Sequence, residues 1–297
     1  MRRSLALLAL VALVAPARAE SPVAPDAKLQ KLATGFKFTE GPAPDADGNV
    51  YFTDQPNDRI HVWSTAGKLS TFMEPCGRSN GLAFDKDGAL WACADDKNEL
   101  WKIDVKTKAK TVIVKDFGGK LLNGPNDIWV RDDGSAFFSD PFYRRPYWKA
   151  GRQKEQDKQA VYFLSADGKL SRADAGEITQ PNGVIGTPDG KTLYVADIGA
   201  GKTYQYDIGD GGALKNRKQF CAQGSDGMTI DTEGNVYFTL GKATTIYDKT
   251  GKKVETIAVP ENCTNVCFGG KDKKTLFITA GTSLYSMAMR VGGAARQ

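Results

Sequence analysis

A chain of 297 residues, 41% hydrophobic and 10% aromatic, is long enough to bury a large core, and its formal net charge of +5 is only mildly basic. Three of those charges, Arg2, Arg3 and Arg18, fall in the first nineteen residues, which contain no acid, and the remainder balances at 37 basic against 35 acidic side chains. That excludes any electrostatic argument for a nucleic-acid or anionic-membrane partner.

In chain order, Arg2-Arg3, the apolar run from Leu5 to Pro16 and the small-x-small triplet Ala17-Arg18-Ala19 read as a signal peptide over residues 1–19. About a dozen apolar residues fall short of the roughly 20 needed to span a bilayer, so no membrane anchor is expected after cleavage. The mature chain is then expected to be periplasmic or secreted. Cysteines can pair in such a compartment, but Cys76, Cys93, Cys221, Cys263 and Cys267 are odd in number, which leaves at least one free. Cys263 and Cys267, about 13 Å apart in an extended strand, cannot bond each other. Residues 20–27, rich in Pro and Ala, read as a mobile lead-in to one domain covering 20–297.

From Phe38 one plan recurs six times. A polar opener and a small residue precede a short apolar run, an Asp-Gly turn follows, and an aromatic and β-branched run ends in Thr, Ser or Ala and often Asp, as in FTEGPAPDADGNVYFTD. The openers Glu40, Asn80, Asn126, Asn182, Asp226 and Thr264 or Asn265 are spaced by about 40, 46, 56, 44 and 39 residues, the period of a four-stranded propeller blade. The expected fold is all-β, a six-bladed β-propeller. The last copy shows three apparent strands where the others offer four, and Lys28 to Thr34 reads as a strand without a nearby partner. An N-terminal strand over Leu29 to Leu32 is therefore expected to complete blade six and cover its edge.

The turns Asp45 to Asn49 and Asp85 to Gly88 resemble the start of a calcium loop, but its twelfth position, which requires Glu, holds Pro56 and Asp96. They read as hairpin turns. If the first strand of a blade leaves one face, its hairpin partner returns to it. The openers should then form an inner ring, and Asp54, Asp95, Asp140 and Asp197 an outer ring, on one side of the scaffold. Two carboxylates and several amide oxygens converging on an axis suit a hard divalent cation. Gly77-Arg78-Ser79-Asn80-Gly81 has the spacing of a nucleophile elbow, but a hairpin follows where a helix is required. His61, the only histidine, lies on the third strand of blade one, so neither a catalytic triad nor a histidine zinc site is expected.

Glu40-Gly41-Pro42, Asn123-Gly124-Pro125-Asn126-Asp127, Phe138-Ser139-Asp140-Pro141, Gln180-Pro181-Asn182-Gly183, Ser225-Asp226-Gly227-Met228 and Cys267-Phe268-Gly269-Gly270 together resemble the gluconolactonase family, grouped with senescence marker protein and luciferin-regenerating enzyme. The ordered set spans about Gly35 to Met289. The resemblance implies hydrolysis of a small-molecule lactone, a sugar lactone such as gluconolactone, with Ca²⁺ or another divalent cation (Mg²⁺, Mn²⁺ or Zn²⁺) at the centre. By position, Glu40, Asn182 and Asp226 match the family's metal ligands, and Asn126 matches a further ligand or a substrate-contacting amide. Asp226 is also the favoured general base and Asp140 the next candidate, with Asn80 a candidate substrate contact. The insertion between Asp140 and Ala160 departs from the pattern and reads as a lid distinct from the ion site, its Phe142, Tyr143 and Arg144 facing substrate. A phosphotriesterase-like hydrolase and a non-catalytic binding platform with a structural ion are the alternatives.

Overall fold

The computed structural model describes residues 20–173 and 175–294, so the expected signal peptide lies outside the described residues. Among these, 24 strands form six four-stranded sheets arranged as the blades of a β-propeller. Blade one runs Thr39–Pro44, Val50–Asp54, Arg59–Trp63 and Leu69–Met73, each strand antiparallel to the one before. No helix among the described residues is long and apolar enough to cross a membrane.

The aromatic second strands explain the packing. Phe52, Phe137, Phe138, Tyr237 and Phe238 are fully covered, and aromatic rings join one blade to the next. Tyr51 of blade one meets Phe84 of blade two at 5.2 Å between ring centroids, and Tyr237 of blade five meets Phe268 of blade six at 5.1 Å. Such edge-on contacts add about 0.5–1.5 kcal/mol each beyond the area they bury. The turns follow their chemistry: Asp45 Oδ1 accepts the N–H groups of Asp47 and Asn49 at 3.0 and 2.9 Å, and Asp85 does the same for Asp87 and Ala89. Those carboxylates serve the turns.

Blade six consists of Cys263–Gly269, Thr275–Ala280 and Ser283–Ala288, with Gln30–Thr34 added at its outer edge. The ring is thus closed by pairing the two ends of the chain. The lead-in differs from the mobile segment expected of it. Ser21 Oγ donates to Glu255 at 2.8 Å, the Arg290 N–H donates to the Pro22 carbonyl at 2.8 Å, and Val23 bridges to Met289 and packs against the blade-six core. An apolar side chain with a cluster to enter and a main chain with partners hold it in place. All five cysteines are unpaired and buried.

Glu261 fastens the closure, accepting from Lys31 Nζ at 3.1 Å, Ser283 Oγ and Tyr285 OH at 2.6 Å, and the Thr282 N–H at 2.9 Å. Burial pushes its pKa up, but these donors outweigh burial and bring it down to about 2. The folded value lies below the unfolded one, so its stabilisation is complete above about pH 4.5 and is lost as the pH falls towards 2. Glu261→Gln should therefore lower Tm at pH 7 and converge on the wild type near pH 2 in thermal melts; a deficit independent of pH would contradict this. Deleting residues 20–33 should lower Tm by many degrees, and deleting 20–26 by a smaller, measurable amount. Equal melting of the longer deletion and the intact chain would remove the closure argument.

Candidate active site

The openers reach the axis because regular pairing fails beside them. In blades one, two and four the register slips between Glu40 and Ala43, Ser79 and Leu82, and Pro181 and Val184, and such bulges bend a strand and re-aim its side chains. In blades three and five the regular strand starts past the opener, at Ile128 and Met228, although the Asn126 and Asp226 N–H groups still donate to the Ser139 and Thr239 carbonyls at 2.9 and 2.8 Å. The glycine after an opener makes room for the next blade. A Cβ on Gly41 would lie 2.2 Å from the Asn80 carbonyl, and one on Gly81 2.4 Å from that of Asn126. The Gly81 N–H donates to that same Asn126 oxygen at 2.7 Å.

Two carboxylates face each other in the resulting centre. Glu40 is 2% exposed, whereas Asp226 is only half-buried. Burial and then the charge of Asp226 lift the Glu40 pKa well above the usual carboxylate range, against a single backbone donor, the Gly41 N–H. Burial brings Asp226 up to about 7, while the Asn182 amide and the Arg145 guanidinium act to lower it. Asn182 Nδ2 donates to Asp226 Oδ1 at 2.8 Å and to the Tyr143 hydroxyl at 2.9 Å. Both amide protons are thus spent, which leaves Asn182 Oδ1 buried without a partner, as Asn80 Oδ1 is in blade two. Asn126 is also buried.

A third central acid, Asp127, was not among the sequence candidates. It stands where four other copies carry glycine, Gly41, Gly81, Gly183 and Gly227, and that substitution was its only signal. Its carboxylate accepts the Val184 N–H at 2.9 Å and, across the axis, Asn265 Nδ2 at 3.4 Å; burial raises its pKa to about 7. Blade six offers no free oxygen in return. Asn265 Oδ1 accepts the Val266 N–H at 2.8 Å, and Thr264 Oγ1 donates to the Thr39 carbonyl at 2.7 Å.

Among the described residues no three His, Cys, Asp or Glu side chains are grouped so as to hold a metal ion. Any cation here must therefore draw on amide oxygens as well as carboxylates. The donor chemistry fits one: two buried amide oxygens lack partners, and the charge of half-buried Asp226 disfavours ionisation of the buried Glu40.

The outer aspartates do different work. Asp54 accepts the N–H groups of Lys37 and Phe38, both at 3.1 Å; Asp140 those of Asn123 and Gly124 at 2.9 and 2.8 Å; Asp197 those of Thr179 and Gln180 at 2.8 and 2.9 Å. Each ties the segment leading into a blade to that blade's second strand. Asp140, a candidate base by sequence, is fully buried with both oxygens so occupied, and burial brings its pKa up to about 7. It stands in the outer ring, apart from Glu40 and Asp226. Asp95 is the exception. Asp58 Oδ1 takes the Cys76 and Arg78 N–H groups instead, at 2.9 and 2.6 Å, and Asp95 Oδ2 is left to accept Arg145 Nε at 2.9 Å and the Tyr147 hydroxyl, while its carbonyl accepts Trp148 Nε1 at 2.9 Å.

The inserted segment therefore reaches the ring, contrary to the expectation of a lid distinct from the ion site. Tyr143 touches Asn182, and the charge of Arg145 acts on both Glu40 and Asp226. Phe142 packs on Trp148 at 5.8 Å between centroids, and its N–H donates to Gln159 at 2.7 Å. Arg144 is exposed, and the register of the loop turns its neighbour Arg145 inward. Ser79 Oγ donates to the Cys76 carbonyl at 2.6 Å, and His61 lies against Phe36 and Phe52, so the elbow spacing assembles no triad.

Residues 38–282 match the family model described as the SMP-30/Gluconolactonase/LRE-like region. The chain is 29% identical to a gluconolactonase from Zymomonas mobilis over 89% of its length and 82% of that protein's. A solved structure of a gluconolactonase from Xanthomonas campestris superimposes with a TM-score of 0.84 at 28% identity, covering 90% of this chain and 91% of the other. Rabbit (Oryctolagus cuniculus) regucalcin is 26% identical over 79% of this chain and 80% of its own.

The raised central acids give the site a pH signature. Their folded pKa values lie above the unfolded range of about 3.8 to 4.5, so the stability they allow is complete at low pH and is lost as the pH rises, through about 7 for Asp226 and Asp127, with Glu40 raised in the same direction. In chelator, Tm should fall between pH 5 and 8, and Asp226→Asn should flatten that fall. Identical curves for the two proteins would contradict the assignment.

Proposed function

The chain belongs to the SMP-30/gluconolactonase/LRE-like family, and from that premise we propose that it is a lactone hydrolase working at the Glu40–Asp226 centre on a sugar lactone. The observation that carries this reading is an asymmetric pair, one carboxylate fully buried and one reachable by solvent, set among amide oxygens that no group among the described residues satisfies. Glu40, Asn182 and Asp226, with Asn126 beside them, would hold a hard divalent cation such as calcium, which all-oxygen ligands suit, and that ion would supply Lewis-acid polarisation of the lactone carbonyl.

The chain's own residues do the rest. Asn182 holds Oδ1 of Asp226 at 2.8 Å, which leaves the other carboxylate oxygen to take a proton from the attacking water. The water oxygen bonds to the carbonyl carbon, the bond from that carbon to the ring oxygen breaks, and Asp226 returns the proton to the ring oxygen. The product is the open-chain hydroxy acid. Tyr143 walls the site on the side of the inserted segment and limits access of bulk water.

Metal-stripped protein assayed on neutral and acidic sugar lactones should recover turnover when Ca²⁺, Mg²⁺, Mn²⁺ or Zn²⁺ is restored. No turnover of any lactone with any of these ions would overturn the reading. Glu40→Gln should weaken cation binding, with excess ion restoring much of the activity. Asp226→Asn keeps an oxygen ligand but loses the proton acceptor, so saturating ion should leave kcat down by about 10² to 10⁴. Near wild-type kcat in that variant would place the base elsewhere.

A further inference from the structure

Arg145 is held in an unusual state for a buried arginine. Its side chain is 16% exposed, and its Nε is committed to Asp95 Oδ2 at 2.9 Å. Among the described residues no group accepts a hydrogen bond from either terminal nitrogen, Nη1 or Nη2. Those nitrogens form the planar fork that binds a carboxylate through two parallel bonds, and since they are not among the buried atoms that lack a partner they stand open to solvent and to a ligand. The ring of Tyr143 lies 5.2 Å from the guanidinium carbon, and the same Tyr143 touches Asn182. The fork therefore stands beside the reacting centre.

Its support is specific. Asp95 occupies the repeat position at which Asp54, Asp140 and Asp197 cap backbone N–H groups, and it is released from that duty because Asp58 performs it. Gly124 leaves space for the arrangement, since a Cβ there would lie 2.7 Å from Asp95 Oδ1 and 3.4 Å from the Trp148 ring. Arg78 and Arg152 stack on Tyr147 and Trp148 from outside, at 4.5 and 4.0 Å. Between residues 141 and 160 the segment carries six lysines and arginines against Glu155 and Asp157, in a chain whose overall charge is nearly balanced. The excess would draw anions towards the mouth.

We propose that Arg145 is a specificity-determining residue whose terminal guanidinium nitrogens bind a carboxylate carried by the substrate, so that the preferred substrate is an acid-bearing sugar lactone, the monolactone of a sugar diacid, rather than a neutral aldonolactone. Asp95 acts through Arg145 as a positioning residue. The proposal rests on the lactone-hydrolase reading for its reaction and on the Asp95–Arg145 geometry for its selectivity.

The test compares D-glucaro-1,4-lactone with D-glucono-1,5-lactone as substrates of the calcium-loaded protein, and D-glucarate with D-gluconate as ligands in calorimetry with and without calcium. Wild type should favour the acid-bearing lactone by at least about tenfold in kcat/KM. Arg145→Met should raise KM for that lactone by about tenfold or more and for the neutral one by about threefold or less, with Arg145→Lys intermediate. Asp95→Asn should move KM in the same sense while changing kcat less. Equal losses on both lactones, or a wild-type preference for the neutral one, would overturn the proposal and leave the hydrolase reading standing. If neither lactone is turned over, calorimetry decides the role of Arg145 alone, and the hydrolase reading is decided by the wider panel of lactones and ions. Tighter binding of glucarate than gluconate that disappears in Arg145→Met upholds the role of Arg145, and equal binding refutes it.

Discussion

Two carboxylates that oppose one another in a covered space are the constraint around which the propeller is arranged. Separately, Glu40 and Asp226 would each be an ordinary surface acid in a turn between strands. Six blades set edge to axis bring them within reach of each other's charge, and burial then disfavours the ionised form of both. Relief can come from protons, from the Arg145 guanidinium or from a bound cation. The surroundings favour the last: amide oxygens of Asn80 and Asn182 are buried and unpaired, and in blade six the corresponding groups are tied into the main chain. The slips in register that aim the openers are the cost of this convergence in lost ladder bonds.

The aspartates at the ends of the second strands show how one repeat position serves two ends. In three blades the carboxylate caps two successive backbone N–H groups, which secures the segment feeding the inner strand and so the direction of the opener beyond it. In blade two a different carboxylate supplies that cap, and Asp95 is free to hold the inserted segment of blade three. The segment crosses a blade boundary to be held. Its inner side chains meet the ring on one side and Asp95 on the other, so the wall of the site and its floor are joined by charge.

Much of this was legible in the chain. Asp-Gly turns at a period of about 39 to 56 residues and aromatic second strands specify blades, and a missing fourth strand in the last copy points to closure by a strand over Leu29 to Leu32, which the structure places at Gln30–Thr34. The inner ring followed from hairpin geometry alone. The remainder depends on direction, which a pattern does not carry. Arg144 and Arg145 are chemically the same in sequence, and only the path of the loop before Pro146 decides which faces inward. Asp140 and Asp95 share a repeat position, and their roles separate through Asp58, which belongs to no motif. Asp127 gave a weak sign, a side chain where other blades need glycine. The lead-in looked mobile from its composition, but Val23 finds an apolar cluster that composition does not reveal.

The cation site proposed for the propeller axis would be built from both carboxylates. Its most direct measurement is the anomalous scattering of a crystal soaked in Mn²⁺, which shares the oxygen-ligand preference of calcium. One strong peak is expected on the axis, within bonding distance of Glu40, Asn182 and Asp226, and at limiting Mn²⁺ it should weaken markedly in Glu40→Gln. Full occupancy of Mn²⁺ elsewhere with an empty axis, or an axial peak undiminished in that variant at the same limiting Mn²⁺, would contradict it.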